Sequence, residues 1–250
     1  MSVPLFLSDA ARPGEGEPAG RIVLDGPEGR HAAAVRRLRP GERVDLTDGA
    51  GRVAECVVAA AGKESLTLDV LRRFEAPAPR PRLVVVQGLP KGDRGELAVE
   101  MMTEAGVDVI VPWAATRCVT QWKGDRAAKG LARWRGTARE AAKQARRFHL
   151  PEVAEQVTTA QAAELIRGAA LAVVLHEEAA EPLSRLPLPS AEDRGDIVVV
   201  VGPEGGVAEE EIAGFRAAGA VPALLGPTVL RTSTAGVAAA AVLLSRCGRW

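Results

Sequence analysis

Two short glycine-proline loops near the C-terminus contain the residues best suited to bind a ligand. The first, GPEGG, occupies residues 202–206, and the second, LGPTVLR, occupies residues 225–231. Each loop begins where an apolar, β-prone run ends and leads toward a helix start, where backbone N–H groups point at a ligand. Because glycine lets a backbone approach a ligand closely, two such loops in adjacent β–loop–α units indicate a nucleotide-like ligand.

Neither loop has the sequence of a common phosphate-binding motif. The chain has no GxxxxGK[ST] segment, and GPEGGV does not fit GxGxxG. These differences disfavour an ATPase or a Rossmann dehydrogenase. A Gly-Pro turn after a strand is common, so the first loop taken alone leaves a purely structural role open. The repetition of the strand and Gly-Pro break in the second loop favours a ligand site.

The composition restricts the other kinds of chemistry. Lys and Arg number 32 and Asp and Glu number 32, so any affinity for nucleic acid must come from local clusters. The cysteines and histidines are scattered without CxxC or HExxH spacing, which predicts no bound metal and no disulfide framework. The N-terminal MSVPLFLSDA lacks a secretory pattern, and no stretch approaches 18 apolar residues. We therefore expect a soluble cytoplasmic protein without a membrane span.

The elements that position the two loops fall into two predicted domains. The proline-rich segment EAPAPRPRL, residues 75–83, predicts an extended linker, and we place the domain boundary at residue 76. Before it, ERVDLTD, GRVAECVV and SLTLDVL are short β-prone runs separated by turn signals. They predict a small β-barrel that also contains one short helix, closed by Pro40-Gly41.

After the linker, the pattern predicts α/β architecture with a parallel sheet. Five apolar runs have the character of strands buried on both faces: LVVVQGL, VDVIVPW, LAVVLHE, DIVVVVG and VPALLG. Helices are predicted at 93–105, with Asp93 and Glu96 at capping-box spacing, and at 125–147. Further helices are predicted to open at Thr158 with Gln161, to open at the glutamates 209–211, and to include GVAAAAVLL.

These segments resemble one family of enzymes. VVGPEGG and LGPTVLRTSTA, with LHEEA and KGDRGELAVEMMTEAGV upstream, closely resemble the bacterial RsmE-type 16S rRNA (uracil-N3) methyltransferases over nearly the whole chain. The resemblance implies a SPOUT domain with a C-terminal trefoil knot at 77–250 and a PUA-like RNA-binding β-barrel at 1–76. It also implies S-adenosyl-L-methionine as methyl donor, 16S rRNA of the small ribosomal subunit as substrate, and a homodimer.

The resemblance places the cofactor against three strand-end loops. The residues implied are Leu175, His176, Gly202, Pro203, Glu204, Gly205, Gly206, Leu225, Gly226, Leu230 and Thr232. Apolar side chains can hold an adenine while backbone groups read its edge. For His176 a structural role is the stronger interpretation, because a single histidine at a strand end more often serves packing than catalysis.

The acidity of uracil determines which catalytic groups the implied reaction needs. The N3–H group is a weak acid and a poor nucleophile, so methylation requires stabilisation of the anion that forms. Arg231 is the candidate for the stabilising cation. Glu204 is a second candidate, as a base, although its loop can hold it for structural reasons.

Basic residues cluster in both predicted domains. Along the predicted helix 125–147, cations recur every four residues, with Arg146 beside them: Arg135, Arg139, Lys143 and Arg147. Like charges at this spacing repel, so a phosphate backbone is the expected partner and a solvated helix face is the alternative. A second cluster lies in the barrel domain: Arg30, His31, Arg36, Arg37, Arg39 and Arg43. Together the two clusters predict that RNA binds to both domains. They predict recognition through contacts with phosphates and through the shape of the RNA.

Two positions depart from the family pattern, and other functions stay open. Ala208 stands where a capping side chain is usual, and Lys143 stands where an acidic residue is usual.

Another knotted RNA methyltransferase, acting on a ribose 2′-hydroxyl or on guanine N1, would share the cofactor loops. A non-catalytic rRNA-binding assembly factor would need the basic clusters without those loops.

Overall fold

The computed structural model describes residues 3–12, 20–189 and 195–250. The chain divides into two compact units. One comprises residues 1–78 together with 142–150, and the other comprises 79–141 together with 151–250. The sequence prediction had assigned residues 142–150 to the C-terminal domain, whereas the structure packs them with the N-terminal unit.

The N-terminal unit is built on a five-stranded sheet in the order β1-β3-β4-β5-β2. Its strands are β1 Leu5–Leu7, β2 Arg21–Leu24, β3 Arg43–Thr47, β4 Arg52–Ala61 and β5 Leu66–Glu75. The three β-prone runs of the sequence form β3, β4 and β5, which pair antiparallel. Alternate residues face the core, as Leu66 and Leu68 show by their complete burial.

The predicted helix of this unit is short and irregular. It begins as α1, Gly26–Arg30, and continues through a π-helical turn at His31–Val35. Residues 142–150 complete the unit from a distant part of the chain. The Gly51 amide donates to the Phe148 carbonyl at 3.0 Å, and the Phe74 and Phe148 rings meet edge to face at 5.7 Å.

The C-terminal unit is built on a six-stranded, fully parallel sheet in the order β11-β9-β10-β6-β7-β8. Its strands are β6 Leu83–Gly88, β7 Val109–Trp113, β8 Glu152–Val153, β9 Leu171–Leu175, β10 Ile197–Val201 and β11 Val221–Ala223. All five predicted strands are confirmed. Only β8 was not predicted, because a two-residue strand carries no periodic signal.

Five helices accompany this sheet: α2 Arg94–Ala105, α3 Asp125–Gln144, α4 Thr159–Arg167, α5 Glu209–Ala217 and α6 Thr232–Arg246. The capping box predicted at the start of α4 is confirmed, with Thr158 and Gln161 bonding each other's backbone amides. The capping box predicted for α2 is wrong. Asp93 has helical φ and ψ angles of −82° and −1° instead of the extended geometry of a capping residue, and its side chain caps no amide.

Helix α3 ends at Gln144, three residues before the predicted end. Arg146 adopts a left-handed conformation with φ of 55°, and the Arg147 amide donates to the Ala142 carbonyl at 2.9 Å. This geometry is that of a Schellman-type helix end, with arginine in the position that glycine usually takes. Arg147 therefore lies beyond the helix and does not extend its basic face.

Within the described ranges, no helix combines the length and apolar character needed to span a membrane. No group of three or more His, Cys, Asp or Glu side chains in these ranges could hold a metal ion. The strand order does not test the threading of a trefoil knot, which stays a prediction.

Candidate active site

A cleft of about 550 Å³ opens at the C-terminal edge of the parallel sheet. Ligands in open α/β sheets bind at this edge, because the loops that follow parallel strands meet there. The structure brings all eleven residues of the implied cofactor set to the cleft lining, and Arg231 with them. They come from the ends of β9 and β10, from the segment after β11, and from the start of α6.

The GPEGG loop is tied to α6 by a hydrogen-bonded chain. The Thr232 hydroxyl donates to the Gly202 carbonyl at 2.7 Å, and the Gln87 Nε2 amide donates to the Thr232 hydroxyl at 2.9 Å. Gln87 is completely buried in β6, and its Nε2 also donates to the Gly88 carbonyl at 3.0 Å. The buried chain fixes the first peptide of the loop relative to the helix start.

The same loop lies directly against the end of β6. A Cβ atom on Gly88 would lie 2.7 Å from the Pro203 nitrogen and 2.8 Å from its Cδ. No side chain fits this space unless the Pro203 backbone moves. Glycine at position 88 therefore permits the close approach of β6 to the loop.

Glu204 has a structural contact in this loop. Its Oε1 accepts a hydrogen bond from the Lys91 amide at 3.1 Å, and the residue is exposed. The contact links the GPEGG loop to the segment that precedes α2. One carboxylate oxygen is thus engaged, which favours the structural interpretation of Glu204 over its assignment as a base.

The LGPTVLR loop is open by comparison. Val229 is 76% exposed and Leu230 is 39% exposed, although both line the cleft. A Cβ on Gly226 would meet nothing within 4 Å. The backbone amides of Leu225 and Gly226 donate to no protein acceptor within the described residues. This side of the cleft has apolar surface and donors that a ligand can use.

Arg231 stands between the LGPTVLR loop and α6. It is the N-cap residue of α6, and its carbonyl accepts from the Thr234 and Ala235 amides at 2.9 Å each. Its backbone is thus fixed by the helix start while its exposed side chain lines the cleft. In the part of the chain that the structure describes, the Arg231 guanidinium has no carboxylate partner.

His176 has the contacts of a structural residue. Its amide donates to the Ala223 carbonyl at 3.0 Å, and its Nδ1 accepts from the Glu178 amide at 3.3 Å. The ring orders the turn after β9. These contacts favour the structural interpretation of this histidine.

Two arginines of the cleft, Arg94 and Arg117, were missed at the sequence level. Arg117 follows β7 and donates through Nη1 to the Gly205 carbonyl at 3.2 Å. The signal was present, because both residues follow predicted parallel strands, β6 and β7, whose carboxyl ends must share an edge with β10.

The cleft has the properties expected of a site for S-adenosylmethionine. Its volume lies within the roughly 300–1,000 Å³ typical of small-molecule sites. Leu175, Leu225 and Leu230 supply apolar surface, and the glycines leave backbone groups accessible. Carboxylates of Glu177 and Glu204 lie in the same lining, which suits a ligand that carries a sulfonium and an ammonium group.

A second, smaller cavity of about 190 Å³ lies wholly within the N-terminal unit. We call it the basic pocket; it is lined by Pro4, Leu5, Phe6, His31, Arg36, Lys143, Gln144 and Arg146. Nearby, burial and then the Glu55 carboxylate raise the pKa of Asp45, while Arg43 and then Arg146 act in the opposite direction. Arg36 and Arg146 are exposed, as an RNA contact requires.

Lys143 differs from the other cations of the predicted clusters. It is buried, and its Nζ lies 3.0 Å from Oε1 of Glu28 in the same unit. A buried, paired ammonium is not presented to RNA, so we remove Lys143 from the proposed RNA surface. The positive charge that this departure from the family pattern introduces is thus paired with the Glu28 carboxylate.

The remaining basic residues have varied surroundings. Arg30 pairs with Glu64 at 3.2 Å, and Arg135 pairs with Glu155 at 3.0 Å and bonds the Val153 carbonyl. The continuous four-residue stripe predicted along α3 is therefore interrupted. Four of the predicted RNA residues are exposed and form no ion pair with any residue in 3–12, 20–189 or 195–250: Arg36, Arg37, Arg39 and Arg146. Arg139 is exposed on α3, and Arg147 is half-buried.

The Glu211 carboxylate explains how α5 begins without a capping side chain. Its Oε2 accepts from the Ala208 amide at 3.1 Å, and its Oε1 accepts from the Thr116 and Thr159 hydroxyls and the Thr116 amide. The glutamate at the third helical position thus supplies the half of a capping box that bonds the N-cap amide, while Ala208 has no side chain to supply the other half. It also ties α5 to the loop that carries Arg117.

Comparisons with known proteins agree with this arrangement. A family described as the RNA methyltransferase domain matches residues 77–244, and the RNA methyltransferase PUA domain matches residues 24–71. A Mycobacterium tuberculosis protein named ribosomal RNA small subunit methyltransferase E is 49% identical over 233 residues, covering 91% of this chain and 87% of the relative. The chain belongs to the ribosomal RNA small subunit methyltransferase E family.

More distant members of the ribosomal RNA small subunit methyltransferase E family have lower sequence identity but also match over most of the chain. The Bacillus subtilis protein of that name is 29% identical over 88% of each chain. A crystal structure of the Neisseria gonorrhoeae enzyme of that name, bound to S-adenosyl methionine, matches with a TM-score of 0.82 and 28% identity over 98% of each chain. The SPOUT and PUA-like fold class predicted from the sequence is confirmed.

Proposed function

We propose that this protein transfers a methyl group from S-adenosylmethionine to N3 of a uracil in the 16S rRNA of the small ribosomal subunit. The observation that carries the proposal is the cleft in which the two glycine-proline loops of the methyltransferase domain meet the Arg231 side chain. Membership in the ribosomal RNA small subunit methyltransferase E family supports the rRNA substrate and the methyl donor. The protein acts in the cytoplasm, where its substrate is assembled.

The chain's own residues supply positioning and charge. When bound, S-adenosylmethionine supplies an electrophilic methyl group. The GPEGG and LGPTVLR loops hold the donor, and the rigid start of α6 keeps the Arg231 guanidinium at the cleft. As N3 gives its proton to solvent water, negative charge spreads to the uracil O2 and O4 oxygens, where a guanidinium stabilises it. The target base must be unpaired or flipped, because N3 lies on its pairing edge.

Arg231 is the residue whose removal tests the chemistry. Arg231→Ala should lower single-turnover methyl transfer by about 10²–10³-fold, the effect of losing one preorganised donor to a developing oxyanion. Affinity for rRNA and for the cofactor should stay within about twofold, because the interaction strengthens only in the transition state. Arg216→Ala, at an exposed site on α5 outside the cleft, is the matched control. Wild-type rates in Arg231→Ala at saturating cofactor and RNA would refute this assignment.

The product distinguishes the proposed reaction from its rivals. Purified protein is incubated with S-adenosylmethionine and small subunits from a strain that lacks the gene, and the rRNA is digested to nucleosides for mass spectrometry. Formation of 3-methyluridine supports the proposal. A 2′-O-methylated nucleoside or 1-methylguanosine would instead identify another RNA methyltransferase activity, and tight binding without any methylated product would identify a non-catalytic assembly factor.

Each unit, taken by itself, contributes cations to the proposed RNA contacts. In the N-terminal unit, Arg36, Arg37 and Arg146 present charge to solvent, with Arg36 and Arg146 at the basic pocket. Arg139 on α3 adds an exposed cation in the other unit. Neutralising phosphates with these side chains should make rRNA binding strongly salt-dependent.

A homodimer formed through the C-terminal unit is part of the proposal. One side of α6 is buried within the chain, whereas its other side is half-exposed and mostly apolar: Thr234, Val237, Ala238, Ala241 and Val242. Small side chains allow two helices to approach closely. Equilibrium sedimentation should give a mass of twice 26.2 kDa at micromolar protein, and a monomer would contradict the proposal.

A further inference from the structure

The cleft has a side that the cofactor loops do not form. Two segments build it: residues 89–94, which follow β6, and residues 114–120, which follow β7. The segments are linked, because the Leu89 amide donates to the Trp113 carbonyl at 3.1 Å and the Thr120 hydroxyl donates to the Pro90 carbonyl at 2.8 Å. They contribute Arg94 and Arg117 to the cleft lining.

The segment that carries Arg117 is anchored by a buried carboxylate. Glu211 is only 5% exposed, and its Oε1 accepts from the Thr116 amide at 2.9 Å, from the Thr116 hydroxyl at 3.0 Å and from the Thr159 hydroxyl at 2.9 Å. Hydrogen bonds to a buried charge are strong. The backbone next to Arg117 is therefore fixed, although the arginine itself is exposed.

Arg117 also contacts the GPEGG loop. One Nη1–H donates to the Gly205 carbonyl at 3.2 Å, which orients the guanidinium along the cleft and leaves other N–H donors for a ligand. Arg94, the first residue of α2, is half-buried at the same lining. Within the described ranges, neither guanidinium has a carboxylate partner. Two guanidinium groups at one lining, one of them held by a hydrogen bond and neither paired with a carboxylate, can bind an oxyanion.

We propose that Arg94 and Arg117 bind a backbone phosphate of the rRNA strand that carries the target nucleotide. This inference rests on the proposed function and assigns the substrate-binding side of the same cleft. The planar guanidinium matches phosphate oxygens in a bidentate way, and contacts to phosphate fix the register of a bound strand without reading its sequence. Arg94 and Arg117 lie on segments that follow β6 and β7, outside the loops assigned to the cofactor.

Alanine variants test the assignment by direct binding. Arg94→Ala, Arg117→Ala and the double variant are compared with wild type and with Arg216→Ala, using filter binding of a 16S rRNA transcript without cofactor. Each single variant should weaken rRNA binding about five- to tenfold, roughly 1–1.4 kcal/mol. The slope of log affinity against log salt should fall by about 0.7–0.9 if one phosphate contact is lost. Arg117→Lys should fall between wild type and alanine, because a lysine keeps charge but loses the planar donor pair.

The cofactor carboxylate is the other oxyanion that these arginines could bind. Calorimetry with S-adenosylmethionine alone should give the same affinity, within about twofold, for wild type and Arg94→Ala. Arg117→Ala also removes the bond to the Gly205 carbonyl of the cofactor loop, so its affinity for S-adenosylmethionine should fall less than its affinity for rRNA. An affinity for S-adenosylmethionine weakened about tenfold, with rRNA binding unchanged, would assign the arginines to the cofactor and overturn the proposal. Unchanged binding of both ligands would also overturn it.

The proposed function and this inference fail in different ways. If the wild-type protein forms no 3-methyluridine but the alanine variants still weaken rRNA binding, the function is wrong and the phosphate site stands. If the wild type forms 3-methyluridine and the variants bind rRNA like Arg216→Ala, the function stands and the phosphate site is wrong.

Discussion

The two glycine-proline loops of the cleft look alike in sequence but differ in how they are held. The GPEGG loop is fixed on several sides: Thr232 bonds its first carbonyl, Gly88 lies against its proline, and Arg117 bonds the Gly205 carbonyl. The LGPTVLR loop has exposed Val229 and Leu230, and its Gly226 has no neighbour that a Cβ would reach. The same sequence pattern, a strand followed by Gly-Pro, thus forms a rigid side of the cleft at GPEGG and an open side at LGPTVLR.

The difference between the two loops indicates why glycine occupies each position. At Gly88, and less tightly at Gly205, glycine is needed because protein atoms lie in the space that a side chain would occupy. In the second loop, the space near Gly226 is empty, so any need for glycine there must come from a ligand. Substitutions should therefore have graded effects on cofactor binding, from Gly88 to Gly226.

The largest effect is expected for Gly88→Ala. Its Cβ would lie 2.7 Å from the Pro203 nitrogen, so the GPEGG backbone has to move. Overpacking of this kind costs about 1–3 kcal/mol of unfolding free energy, and we expect affinity for S-adenosylmethionine to fall by up to about 100-fold. Denaturant unfolding and calorimetry measure the two effects. Gly136→Ala, at an exposed site on α3 with nothing within 4 Å, is the control and should leave both unchanged or slightly raise stability.

Thr232→Val should have the next largest effect. Valine keeps the shape of threonine but removes the hydroxyl that donates to Gly202 and accepts from Gln87. Leaving buried polar groups unpaired costs about 1–3 kcal/mol, and cofactor affinity should fall about tenfold as the loop loosens. Thr232→Ser restores the hydroxyl and should recover most of the affinity. If Thr232→Val lowered the melting temperature but bound the cofactor normally, the hydrogen-bonded chain would serve folding alone.

Gly205→Leu is expected to have an intermediate effect of a different origin. A Cβ at this position lies 3.1 Å from the Arg117 Cβ and 3.3 Å from the Arg117 carbonyl oxygen, so the new side chain pushes on Arg117. We expect cofactor affinity in calorimetry to fall about five- to tenfold and rRNA binding to weaken with it. Wild-type affinity for both ligands would show that the GPEGG loop and the segment that carries Arg117 can move apart without loss of binding. That result would contradict the rigidity of the GPEGG loop.

Gly226→Ala should have the smallest effect. Its φ lies outside the left-handed region, and no atom lies within 4 Å of the added methyl group. The melting temperature should be unchanged, and cofactor affinity should stay within about threefold. A loss of affinity as large as that of Gly88→Ala, with unchanged stability, would show that the ligand backbone packs directly on Gly226.

The sequence predicted the C-terminal unit well because its signals are local. Continuous apolar runs identified five strands, and the family resemblance assigned the candidate cofactor residues to loops that follow them. Arg94 and Arg117 follow predicted parallel strands, but they were missed because neither lies in a segment with a recognisable ligand-binding motif. The hydrogen-bonded chain through Gln87 was also missed, since a glutamine inside an apolar strand gives no indication of its partner.

The basic clusters were predicted less well for a physical reason. A four-residue spacing of cations predicts a shared face only while the helix continues, and α3 ends at Gln144. Whether a cation is paired depends on residues far away in sequence, as Lys143 and Glu28 show. Spacing along the chain identifies neither the helix end nor the partner.

The return of residues 142–150 to the N-terminal unit has a consequence for biosynthesis. During translation, the five strands that end at Glu75 emerge from the ribosome well before Phe148 and His149, whose contacts with Gly51 and Ala76 complete that unit. The N-terminal unit therefore stays incomplete until the first two strands of the parallel sheet and all of α3 have been synthesised. A gene fragment that ends at the linker would encode a domain lacking part of its own structure, so the two units are not exchangeable modules that evolution could shuffle by joining one end to another.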